Sequence, residues 1–70
     1  MENVIIKYPE TRTVFIDGED TGMTNTILRI EAGSHTFDLG EPKNYKPSSR
    51  KRKVKGTSPV KPMEVIFEKV

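Results

Sequence analysis

Ile27-Leu28-Arg29-Ile30-Glu31-Ala32-Gly33-Ser34-His35-Thr36-Phe37-Asp38-Leu39 is the stretch whose pattern decides the fold class. Its opening places Leu28 and Ile30 on one side of the chain and Arg29 and Glu31 on the other. From Ser34 to Leu39 the alternation is strict, with His35, Phe37 and Leu39 together. A period of two belongs to a strand with one buried face, because successive side chains leave an extended backbone on opposite sides. The short break Glu31-Ala32-Gly33-Ser34 between two such runs reads as the turn of a β-hairpin.

The pattern recurs on both sides of this stretch. Thr13-Val14-Phe15-Ile16-Asp17 is rich in β-branched and aromatic residues and stops at Asp17-Gly18, a turn dipeptide. Met63 to Glu68 sets Met63, Val65 and Phe67 on one face. Asn3–Lys7 is an apolar-rich strand whose inward face its own pattern does not fix, and 48–55 alternates weakly, with Val54 as its only apolar residue. Pro9, Gly18, Gly22, Gly33, Gly40, Pro42, Pro47, Gly56, Pro59 and Pro62 fall between these runs. They also interrupt every window that would keep apolar residues at helical spacing. Turn signals every 8–12 residues or so describe a small sandwich or barrel. The expectation is an all-β fold: a single-domain antiparallel β-sandwich of six to seven short strands spanning residues 1–70.

The chain has 70 residues, of which 33% are hydrophobic, with no cysteine and one histidine. That length holds one domain with a thin core. Without cysteine, neither a disulfide framework nor a thiolate zinc site reinforces it. No apolar run approaches the roughly 18 residues of a membrane-spanning helix. Residues 1–20 lack the apolar run and small-residue cleavage site of a signal peptide, which predicts a cytoplasmic chain or a segment of a longer exported protein.

The formal charge of +2 conceals a polarity. Residues 1–41 set Lys7, Arg12 and Arg29 against eight acids, a net −5, whereas residues 42–63 carry eight cations and no acid. Either the two halves neutralise each other in the fold, or the basic segment is a patch for a polyanion. Its members are Lys43, Lys46, Arg50, Lys51, Arg52, Lys53, Lys55 and Lys61. On a strand, Arg50, Arg52 and Val54 share one face and Lys51, Lys53 and Lys55 the other. Such a strand is either a solvated edge, protected by its lysines from intermolecular pairing, or a stripe that contacts phosphates or acidic glycans. Tyr45 is the only aromatic residue close by in sequence, so support for base stacking is weak.

Other candidates read more plainly. Asp17-Gly18-Glu19-Asp20 lacks the calcium-loop spacing, since the twelfth position from Asp17 is Leu28. A turn closing a strand pair accounts for those residues. His35, without a second histidine or a cysteine, reads as partly buried and hydrogen-bonded to backbone rather than as a metal ligand. No signature arranges a nucleophile, base and orienting acid, and so small a domain has little room for a cleft with paired carboxylates. The chain is expected to be non-enzymatic and to need neither cofactor nor metal. If one sheet buries Ile5, Val14, Ile16, Leu28, Ile30, Phe37, Leu39, Val65 and Phe67, then Val4, Ile6, Phe15, Ile27 and Ile66 fall out of phase. Part of that second set then faces outward as an apolar surface for a partner, unless a sheet edge or loop covers it.

Taken in order, these residues resemble the PEGA domain, a bacterial and archaeal β-module of about this length found mainly in surface-layer and other envelope proteins. Pro9 followed by Val14, Ile16, Asp17 and Gly18 is similar to its V-x-V-D-G-like strand and turn. Gly22-Met23-Thr24 is similar to its Gly-x-Thr step, and Leu28 to Leu39 to its hairpin with an H-T-V-x-V-like strand. Asn44-Tyr45 and residues 48–69 take the places of its Gly-Tyr pair and closing strands. Asn25 stands where a proline is common, which predicts a looser turn, and Thr11 and Arg12 replace small residues. The resemblance implies a compact β-sandwich without catalytic residues, acting as a binding or spacer module on a protein or envelope polymer, at the cell envelope or surface. The alternative reading is a small polyanion-binding domain for nucleic acid or acidic glycan that uses residues 43–61.

Overall fold

The computed structural model describes residues 1–70. It is all-β, with strands β1 (Glu2–Lys7), β2 (Thr13–Ile16), β3 (Glu19–Met23), β4 (Ile27–Ile30), β5 (Gly33–Asp38), β6 (Tyr45–Lys46), β7 (Arg50–Val54), β8 (Met63–Ile66) and β9 (Glu68–Lys69). Seven of them form the two principal sheets, ordered β4-β1-β8 and β3-β2-β5-β7, and β6 pairs with β9 in a small third one. The core lies between the principal sheets, where Val4, Ile6, Ile30 and Val65 meet Val14, Ile16, Phe37 and Val54. Phe67, Leu39, Tyr8 and Tyr45 close it at one end. Burying side chains of this size contributes roughly 1.5–3 kcal/mol each for the larger apolar ones.

Alternation identified strands correctly and misassigned one partnership. The Glu31–Ser34 break is not a hairpin turn: β4 pairs with β1 and β5 with β2 and β7, so residues 31–32 carry the chain from one sheet to the other. Ile30 and Phe37 are both core residues, and they reach it from opposite sheets. Gly33, at φ 131°, supplies a backbone conformation that other residues rarely adopt, and no hairpin geometry is needed to explain it. The β2–β3 turn is the true hairpin. Asp17 at φ 53° and Gly18 at φ 82° form its two-residue loop, with Ile16 opposite Glu19. β3 itself has no alternation to announce it, and its pairing with β2 shifts register between Val14 and Phe15.

The phase of β1 also differs from expectation. Val4 and Ile6 are fully buried, whereas Ile5 is half-buried on the outer face opposite Ile27. β1 is the central strand of its sheet, and its two neighbours set the inward face. It pairs antiparallel with β4 and parallel with β8, so the sandwich is not purely antiparallel. Ile27 and Ile66 do face solvent, as two members of the second apolar set, while Val4 and Ile6 do not.

The polar residues at the closed end are engaged. The Arg12 guanidinium lies over the Tyr45 ring, 5.0 Å from its centroid. It donates to Asn44 Oδ1 and to the carbonyls of Leu39, Gly40 and Pro42. The Tyr45 hydroxyl accepts from Leu39 N–H and donates to Gly40 O at 2.9 Å. Gly40 has φ 71°, and a Cβ there would lie 2.6 Å from Phe15 Cε1. Asn25 makes its turn tight rather than loose. At φ 63° it exchanges side-chain hydrogen bonds with the Tyr8 backbone and donates its N–H to Ile6 O, which a proline cannot do.

Candidate binding edge

β7 is the last strand of its sheet, so its only neighbour is β5 and one row of its backbone groups faces outward. The register sets Phe37 opposite Arg50, Thr36 opposite Lys51, His35 opposite Arg52, Ser34 opposite Lys53 and Gly33 opposite Val54. Cross-strand partners share a face. Arg50, Arg52 and Val54 therefore lie toward the other sheet, and Lys51 and Lys53 project from the outer face beside Thr36 and Ser34. This is the division that period two predicts.

Only Val54 of the strand is buried; it anchors the end of β7 in the core. Arg50 is half-buried, and its Nε is a buried donor without a partner. Lys51, Arg52 and Lys53 are exposed, and no carboxylate forms an ion pair with any of the four cations. The ion pairs of the molecule are His35–Asp17 and Lys69–Glu10. No ion pair therefore joins a cation of residues 42–63 to an acid of residues 1–41; Lys69–Glu10 and the placement of Lys46 across from Glu68 both involve the C-terminal residues 64–70 instead.

The remaining sequence-derived candidates lie on other elements. Lys55 follows the end of β7 and is exposed. Lys46 sits on the small β6–β9 sheet, and Lys43 precedes it, with its ammonium 5.9 Å from the Tyr45 ring centroid. Lys61 closes a bridge with Ser58 in the connection from β7 to β8. The eight cations accordingly make one compact row, Arg50 to Lys53, with flanking charges. Tyr45 is 4% exposed, so its ring is closed to a stacking base.

At the other side of β5, Asp17 and His35 form a clamp. Asp17 Oδ1 accepts from Thr36 N–H at 2.9 Å, and Asp17 Oδ2 accepts from His35 Nδ1 at 2.6 Å. His35 Nε2 lies 2.7 Å from Glu31 O. Both ring nitrogens face groups that only accept, so the imidazolium form satisfies both bonds and neutral histidine satisfies one. The bond to Asp17, then that to Glu31 O, raises the His35 pKa above its usual 6.5. The Thr36 amide, then His35, lowers that of Asp17. The clamp ties the β2–β3 turn to the sheet-changing segment after β4. The sequence reading foresaw the backbone bond of His35; it missed the carboxylate because Asp17 is 18 residues away.

Arg12 is the other residue the sequence reading left unassigned. An open recess of about 410 Å³ lies beside it, bordered by Phe15, Met23, Glu41 and Pro42. Its guanidinium is already committed to the 39–44 loop. A second recess, of about 300 Å³, lies between Tyr8, Asn25, Ile66 and Phe67. No helix is long and apolar enough to cross a membrane.

No protein-family model, curated protein or solved structure matches the chain.

Proposed function

We propose that the chain is a non-catalytic binding or structural module that takes an acidic partner, a protein segment or an envelope polymer, along the free edge of β7. The observation that carries this reading is the row Arg50-Lys51-Arg52-Lys53, which has no carboxylate partner and lies on a strand with one open side. Strand addition would supply backbone hydrogen bonds to an extended chain, and the cations would select acidic side chains on alternate faces. The resemblance to the PEGA family supports placing such a module in a larger bacterial envelope assembly. Contact with nucleic acid or an acidic glycan is the second reading, favoured by the outward row of Lys51 and Lys53; the buried ring of Tyr45 argues against single-strand stacking.

An amide NMR titration with poly-glutamate, heparin and duplex DNA tests both. Poly-glutamate shifts on β7 and β5 that weaken in Lys51→Glu with Lys53→Glu support the first reading. Shifts with DNA or heparin alone, falling with log salt at about −0.9 per phosphate contacted for DNA, support the second. An undisturbed β7 with every probe overturns both.

A further inference from the structure

The four-stranded sheet ends in two free edges of opposite charge. At one end is β7, with its four consecutive cations; at the other is β3, which opens with Glu19-Asp20 and is exposed along most of its length. Because β3–β2, β2–β5 and β5–β7 are all antiparallel, β3 runs opposite to β7. When a second copy is laid beside the first in the same orientation, its β3 meets the first copy's β7 antiparallel. The sheet then continues across the join in the sense it has within each copy.

We propose that the chain assembles head to tail with copies of itself, β7 of one copy adding to β3 of the next. The inference rests on the reading of β7 as a docking edge and names its occupant. Charge complementarity selects this pairing over the alternatives. Joining β7 to β7 opposes two rows of cations, and joining β3 to β3 opposes Glu19-Asp20 to its own copy; like charges directly across a strand pair are destabilising. Edge lysines ordinarily prevent strand addition, but they do not repel an incoming edge that is acidic.

The faces fix the register. Glu19 lies opposite Ile16, toward the other sheet, and Asp20 lies opposite Phe15 on the outer face. Arg52 faces the same way as Glu19, and Lys51 the same way as Asp20. The antiparallel register that sets Glu19 against Arg52 therefore sets Asp20 against Lys51. A slip of two residues in either direction loses one pair, leaving Glu19 opposite Val54 or Asp20 opposite Ser49. Beyond Asp20 the β2–β3 register shift takes β3 out of regular geometry, so the overlap is short and the association reversible. A head-to-tail contact of this kind does not close on itself and yields open chains of copies.

Sedimentation velocity over a concentration series tests the proposal. It compares low salt with about 1 M salt, where the screening length is about 3 Å. The weight-average mass is expected to rise with concentration at low salt and return to the monomer value at high salt. Glu19→Lys with Asp20→Lys should stay monomeric, and so should Lys51→Glu with Arg52→Glu, circular dichroism confirming that both fold. An equimolar mixture of the two should associate again, because the unaltered β7 of the Glu19/Asp20 variant meets the unaltered β3 of the Lys51/Arg52 variant. A monomeric wild type at low salt, association of the Glu19/Asp20 variant equal to wild type, or a mixture that stays monomeric overturns the proposal. Poly-glutamate binding separates it from the broader reading. A monomeric wild type that binds poly-glutamate at β7 overturns self-assembly alone, and one that binds nothing overturns both.

Discussion

The closed end of the sandwich and its β7 edge are both rich in polar and charged side chains, and they use them in opposite ways. At the closed end Arg12 supplies bonds to Asn44 and three loop carbonyls, and Tyr45 holds the same loop from inside the core. At β7 four adjacent cations have no carboxylate within ion-pair distance, and one strand edge is unpaired. The contrast distinguishes charge that builds the fold from charge left over by it. Only the second kind is a candidate for binding, although the sequence presents both as basic residues in turn-rich surroundings.

The sharpest way to break the comparison is to remove Arg12. Arg12→Ala leaves the 39–44 loop without its main tether, and the expected loss is about 2–3 kcal/mol, read as a lower urea midpoint. Tyr45→Phe removes one hydroxyl and strands the Leu39 amide in the core; about 1–2 kcal/mol is expected from the same measurement. Lys51→Glu with Lys53→Glu should move stability by no more than about 0.5 kcal/mol while eliminating the poly-glutamate shifts on β7. A large stability loss in that variant would show that the edge cations build the fold after all.

The smallest effect concerns the Asp17–His35 clamp. His35 has a raised pKa in the folded chain, so its contribution is fully present below about 6.5, the unfolded value, and is lost as pH rises through the folded pKa. Asp17 has a lowered pKa, so its contribution is present above its unfolded value of 3.8 and is lost as pH falls through the folded pKa. The urea midpoint of wild type should therefore fall slightly on passing from mildly acidic to alkaline pH, and His35→Gln should flatten that slope. A slope unchanged by His35→Gln would remove the clamp from the account.

Strand existence was legible wherever one face is buried and the other wet, as in Val14 and Ile16 or Phe37 and Leu39, because that condition writes period two into the residues. It was not legible in β3, where Glu19-Asp20-Thr21-Gly22-Met23 buries almost nothing; in β1 the strand was legible, but consecutive apolar residues leave its phase open. The basic row was visible as composition. Its status as an edge was one of two readings, because strand order depends on contacts between residues far apart in the chain.

The sequence by itself determined the all-β class, the Asp17-Gly18 hairpin and the alternate faces of Arg50 to Lys53, all of which follow from local spacing and turn chemistry. The tertiary structure alone decided that Glu31–Ser34 changes sheets instead of closing a hairpin, that Val4 and Ile6 face the core, that Arg12 is spent on a loop, and that β3 and β7 are the two free edges of one sheet. A strand's pattern records that it has a buried face. It does not record which other strand lies beside it or across the core.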